Sequence, residues 1–180
     1  MKKLFILTVA ALTVLALTSS AQPQGKKWEL GIAFDFSSTS TSESSESFEI
    51  LTIPVRVGYY FWKGFEVEPE FFLFKVKDSD TGYQLNLNGL YNFRTSSSFR
   101  PFILAGLGIN NGIKFGQVME ASSEVNGFII NAGAGLKYLV GNTAAFRLEY
   151  RYSRNRLKDD YGYVEKFNHH QFFMGVSIFF

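Results

Sequence analysis

Ala144-Ala-Phe-Arg-Leu-Glu-Tyr-Arg-Tyr152 places apolar and charged side chains in strict alternation. Successive residues of a strand point to opposite faces, so Phe146, Leu148, Tyr150 and Tyr152 share one side while Arg147, Glu149 and Arg151 share the other. A helix of the same composition would spread the three charges around its axis. Alternation of this kind recurs along the chain, broken by clusters of Ser, Gly, Asn, Asp and Lys, and predicts eight strands. They cover Trp28 to Phe36, Leu51 to Phe61, Phe65 to Leu73, Tyr83 to Phe93, Pro101 to Ile109, Phe128 to Tyr138, Ala144 to Tyr152 and Gln171 to Phe180. Long polar connections (Ser37 to Ile50, Phe74 to Gly82, Asn110 to Gly127, Ser153 to His170) alternate with short ones (Trp62 to Gly64, Arg94 to Arg100, Leu139 to Thr143). That order suits an all-β, antiparallel up-and-down barrel with extended loops at one end and tight turns at the other.

The distribution of charge between the two faces sets the solvent. One face of every predicted strand, running from Trp28, Leu30, Ile32, Phe34 and Phe36 to Phe172, Met174, Val176, Ile178 and Phe180, carries no charge. The other carries Glu29, Asp35, Arg56, Glu66, Glu68, Glu70, Lys137, Arg147, Glu149 and Arg151, with Gln84, Asn86, Asn88, Asn92 and Asn131. A soluble lipocalin-like barrel has water outside and an apolar calyx, the reverse of this pattern. Lipid outside and a polar lumen inside fit it, since Arg on a barrel's lipid face costs roughly 2 to 4 kcal/mol at the bilayer midplane. Aromatic residues mark two edges: Trp28, Trp62, Phe65, Phe93, Phe99, Tyr138, Phe146 and Phe180 at the short-turn end, and Phe36, Phe48, Tyr83, Phe128, Tyr152 and Phe167 at the long-loop end.

Composition agrees. The 180 residues contain 18 Lys plus Arg against 16 Asp plus Glu, 46% hydrophobic and 17% aromatic residues, and no Cys. Disulfides, thiolate metal sites and Cys nucleophiles are excluded, and the balanced charge gives no basis for nucleic-acid binding. Met1-Lys2-Lys3, the apolar run Leu4 to Leu17 and the small residues Ser19-Ser20-Ala21 read as a signal peptide over residues 1–21, with the barrel domain over 22–180. The run is shorter than the ~20 apolar residues of a spanning helix.

Three stretches carry a family resemblance: Ile53-Pro-Val-Arg-Val-Gly-Tyr-Tyr-Phe61, Pro101-Phe-Ile-Leu-Ala-Gly-Leu-Gly108, and Asn131-Ala-Gly-Ala-Gly-Leu-Lys-Tyr138 with Ala145 to Tyr152. With them the chain resembles the small eight-stranded outer-membrane β-barrel superfamily, which includes the OmpA transmembrane domain and OmpX-like proteins. The resemblance implies a cell outer membrane location after export, with lipid including lipopolysaccharide as surroundings. Phe172, Met174, Val176, Ile178 and Phe180 resemble the family's C-terminal assembly signal, which implies the barrel-assembly machinery as a partner during biogenesis. A monomer is expected, with no nucleic acid. The family's diversity of roles leaves the activity to be read from particular residues.

Eight strands enclose a lumen that side chains just fill. The third and seventh strands lie across it from one another, so Glu66, Glu68 and Glu70 are expected to meet Arg147 and Arg151, with Arg56, Lys137 and Glu149 alongside, as an ion-pair plug. A narrow porin-like path through the same groups is the alternative. Inward Gly106, Gly108, Gly133 and Gly135 would make room for Phe102, Phe173 and Phe179, or line a water path. His169 and His170, beside Asp159, Asp160 and Glu165, lack the His-x-Ser spacing of an outer-membrane deacylase, because Gln171 and Phe172 follow. The glycines at 106–112 and 133–135 open no helix, and Asp78-Ser-Asp80 lacks the later Glu of a calcium loop. No catalytic residue, cofactor or metal is assigned, and the chain is read as a non-enzyme with a structural or surface-interaction role. A lipid-modifying enzyme and a soluble binder are the remaining alternatives. Surface contact with an extracellular ligand is expected at Tyr161, Tyr163 and Phe167, and Arg154, Arg156 and Lys158 are placed to reach lipopolysaccharide phosphates. Pro54 and Pro69, lacking an N–H, predict a bulge or irregular pairing.

Overall fold

The computed structural model describes residues 25–41, 47–75, 81–110, 126–158 and 164–180. Residues 1–24, where the signal peptide was expected, and the connections' central residues, Asp78, Asp159, Asp160, Tyr161 and Tyr163 among them, lie outside the described residues. Eight strands form one closed antiparallel barrel in chain order: β1 (Trp28–Thr41), β2 (Ser47–Trp62), β3 (Phe65–Lys75), β4 (Thr81–Asn92), β5 (Phe99–Asn110), β6 (Asn126–Val140), β7 (Ala144–Lys158) and β8 (Val164–Phe179). β1 closes the ring against β8: Trp28 N–H donates to the Phe180 carbonyl and Phe180 N–H to the Trp28 carbonyl, both at 3.0 Å. No backbone edge remains at this seam, as a bilayer requires.

At one end the connections are tight. Lys63-Gly64 joins β2 to β3 with both residues at positive φ, 23° and 95°, a geometry whose twist matches that of the flanking strands. Gly141 takes a φ of 63° in the β6–β7 turn. Aromatic rings form a belt around this end: Trp62 stacks on Phe65 at 5.5 Å, Phe65 meets Tyr91 at 4.8 Å, and Tyr91 meets Phe93 at 5.1 Å. Trp28 on Tyr59 and Phe99 on Tyr138 continue it. The outward face between the belt and the long-loop end exposes Leu87, Leu107 and Leu148 at 53 to 58%. Such apolar exposure belongs to a surface solvated by lipid.

The strands outrun their hydrophobic pattern. Residues 153–158 continue β7 and 164–170 begin β8, where a loop was expected, and their ladder is continuous from Ala144↔Ile178 to Lys158↔Val164. Polar residues occupy both faces there, Ser153 and Asn155 inward and Arg154 and Arg156 outward, so pairing continues where alternation of hydrophobicity has ceased. The prolines produce no shift of register; of the two expected outcomes, a bulge or irregular pairing, the structure has the second. Instead the β1–β2 ladder lapses between Ile32↔Val55 and Asp35↔Thr52, around Pro54, and the β2–β3 ladder between Arg56↔Glu70 and Tyr59↔Val67, around Pro69. Each missing N–H thus interrupts one flanking ladder and leaves the other intact. The single shift in β2–β3 lies between Tyr60 and Trp62, beside the turn.

Candidate functional site

Inward side chains meet across the lumen in layers. Nearest the tight turns, Lys137 Nζ bonds Glu29 Oε2 at 2.6 Å, Glu66 Oε2 at 2.9 Å and the Tyr60 hydroxyl at 2.9 Å. Tyr60 in turn donates to Glu29 Oε2 at 2.7 Å, and Asn92 Nδ2 to Glu66 Oε2 at 2.9 Å. In the middle, Arg147 forks onto Glu68 through both terminal nitrogens and bonds Glu149 Oε2 at 2.7 Å. Arg151 forks onto Glu70 and reaches Glu149 Oε1 at 2.5 Å. Arg56 Nε bonds Glu70 Oε1 at 2.6 Å and its Nη1 bonds Glu149 Oε2 at 3.2 Å. Above, Asp35 Oδ2 accepts from Thr52 at 3.1 Å and Gln171 at 2.8 Å.

Rings separate and insulate these charges. Phe173 lies under the guanidiniums of both Arg56 and Arg151 at 4.6 and 4.7 Å, and Phe102 under Arg147 at 4.6 Å. Phe72, Phe173 and Ala33 form an apolar layer on the loop side of the lattice, and Tyr60, Phe179 and Ala145 form one at the turn side. Glycine makes the space: a Cβ on Gly135 would strike the Phe102 ring, and one on Gly58 would strike the Glu66 carboxylate. All ten inward charges are buried.

The structure therefore brings Glu68 to Arg147 and Glu70 to Arg151 across the lumen, while Glu66 meets Lys137 instead. Glu29 joins the lattice, and Asp35 has no basic partner within ion-pair distance among the described residues. Tyr60, Phe102 and Phe173 complete the site. Parity alone marks them as inward, but only the stagger between strands decides which inward residues share a level. Phe172, Met174, Val176, Ile178 and Phe180 all face outward and are exposed. Phe167 lies on the β8 backbone, opposite Asn155. His169 and His170 fall on opposite faces: His169 is buried in the lumen, whereas His170 is exposed and pairs through Nδ1 with the Tyr150 hydroxyl at 2.7 Å. They form no common general base.

A second cluster lies outside the barrel. Arg154 and Arg156 project outward from β7, and Lys166, passed over in the sequence, sits directly opposite Arg156 on β8. Below them Tyr152 donates to Asn168 Oδ1 at 2.7 Å and packs on His170.

A closed eight-stranded ring, an apolar exterior and a charged lumen define a small outer-membrane barrel, and the chain belongs to the outer membrane protein beta-barrel domain family, whose model matches residues 7–180. It is accordingly an outer-membrane protein. Among particular relatives it is 36% identical over 74 residues to the outer membrane protein PagN of Salmonella typhimurium, covering 37% of this chain and 31% of PagN. The match thus spans about a third of that relative's length. Neisserial surface protein A superposes with a TM-score of 0.68 at 18% identity, covering 85% of this chain and 97% of that one. Ail, the attachment invasion locus protein of Yersinia pestis, superposes with a TM-score of 0.57 at 16% identity, covering 86% and 99%. At these identities the likeness to the solved structures is one of fold.

Proposed function

We propose that the protein is a closed membrane anchor that presents its long-loop end for surface contact, with no catalytic role. The observation that carries this reading is the lumen, filled by paired charges between two apolar layers, which leaves the outer end as the place where chemistry differs from a plain barrel. The charges serve as a structural plug, and Phe172, Met174, Val176, Ile178 and Phe180 serve as the assembly signal read by the barrel-assembly machinery. The barrel acts as a monomer.

The contacts are made by Tyr161, Tyr163 and Phe167, together with the outward cations of the β7–β8 hairpin. Arg154, Arg156 and Lys166 stand just beyond Tyr150, Tyr152 and His170, the level at which an interfacial belt meets headgroups. Phosphate groups of lipopolysaccharide suit them, because guanidinium forks match phosphate oxygens. Ail has been crystallised in complex with the heparin analogue sucrose octasulfate, and a polyanionic sugar is the corresponding ligand class here. Replacing Arg154, Arg156 and Lys166 by glutamine is expected to abolish binding of the surface-displayed protein to immobilised heparin, and deleting Tyr161 to Tyr163 to abolish binding to cultured cells, while the boiling-dependent shift in gel mobility persists. Unchanged binding would refute the loop assignment.

A further inference from the structure

The buried charges sort by level into unequal sums. The middle layer holds three arginines (Arg56, Arg147, Arg151) against three glutamates (Glu68, Glu70, Glu149) and is neutral. The layer beside the tight turns sets one ammonium, Lys137, against two carboxylates, Glu29 and Glu66. Each glutamate is 1% exposed, and each has one oxygen, Oε1, with no hydrogen-bond partner. Burial and mutual repulsion both favour a proton on one of two carboxylates that bond the same ammonium, the nearby Arg147 being engaged by Glu68 and Glu149.

We propose that Glu29 and Glu66 hold one proton between them, making the Glu29–Lys137–Glu66 layer neutral as the arginine layer is. Glu66 Oε1 lies against the backbone of Gly58, where an added Cβ would overlap it. The groups around the pair come from every neighbouring strand. β2 supplies the Tyr60 hydroxyl, β3 Glu68, β4 Asn92, β6 Lys137 and β7 Arg147, while β8 brings the Phe179 ring and, among titratable and charged groups of the described residues, none. β5 supplies Arg100, half-exposed, whose guanidinium is occupied by the Thr95 hydroxyl and the Thr95 and Ser97 carbonyls and pairs with neither glutamate. The Tyr60 hydroxyl donates to Glu29 and accepts from Lys137, and its ring lies 6.4 Å from Phe179 in the turn-side apolar layer.

Infrared spectroscopy of the folded barrel in detergent tests this. Asp35, a buried acid with no basic partner within ion-pair distance among the described residues, is first removed as D35N so that its carboxyl makes no contribution. At neutral pH the D35N protein is expected to show one protonated-carboxyl C=O band, downshifted in D₂O, which D35N/E66Q and D35N/E29Q each lose or displace while retaining the folded gel mobility. If E66Q fails to fold, E29Q alone decides. Absence of the band from D35N, or an identical band in a folded glutamine variant, would overturn the proposal. A band-free protein whose thermal stability requires sodium, and is lost in tetramethylammonium, would assign the missing charge to a metal ion and likewise overturn it.

Discussion

Arg151 shows how much one side chain holds. It has no solvent-exposed surface, it forks onto Glu70, it reaches Glu149, and its guanidinium lies on Phe173. Removing one member of such a group strands the others, a loss of about 3 to 5 kcal/mol. Arg151→Ala is therefore expected to lower stability by that amount in urea unfolding of the lipid-embedded barrel. A double change to methionine at Arg151 and Glu70 should recover much of the loss, because apolar replacements of similar volume need no solvation. Parity along each strand makes the inward direction of these residues legible in the sequence. The choice of partner is less legible: Glu66 was expected to meet an arginine and meets Lys137 from β6, together with Glu29 from β1. Those three come from distant stretches, and their common level depends on the stagger of eight ladders, which periodicity does not encode.

Strand β8 compares two depths on one face. Met174 and His170 both point outward, but Met174 lies within the apolar band whereas His170 lies in the outer belt with Tyr150 and Tyr152. Charge on the lipid face costs roughly 2 to 4 kcal/mol at the midplane and about 0 to 1 near the interface. Met174→Arg should accordingly reduce the folded fraction in refolding assays read by gel mobility, and His170→Arg should leave it nearly unchanged. Comparable losses would contradict the depth assignment. The extent of β7 and β8 is what the sequence conceals. Up to Tyr152 one face is apolar and the strand is evident; beyond it both faces carry polar residues, and the backbone ladder marks its continuation to Lys158. Pro54 and Pro69 were legible as disturbances, although the disturbance is a lapse in one ladder and not an inserted residue.

For the molecule as a whole, the face without charge and the alternation of long and short connections made the closed barrel readable before any geometry. Its internal closure was not, since a charged lumen is compatible with either a plug or a path. Two apolar layers bracket the ion pairs, Phe72 with Phe173 at one side and Tyr60 with Phe179 at the other. Planar bilayers containing the wild-type barrel should therefore carry no steady ionic current, and stepwise conductance from a homogeneous preparation would show that the layers part.

The seam between β1 and β8 has a further consequence. Seven ladders join strands adjacent in the chain, but this one joins Glu29 to Phe179 across nearly the whole described length. Loop-closure entropy weighs on such a distant contact, so the seam is expected to close last when the ring assembles. In space, however, the ring has no first strand. A circular permutant, opened at Lys63-Gly64 and joined from Phe180 to Trp28 through a short added turn, is expected to keep the other ladders and to close last between β2 and β3. The order of assembly is thus a property of where the chain is cut, not of the barrel it makes.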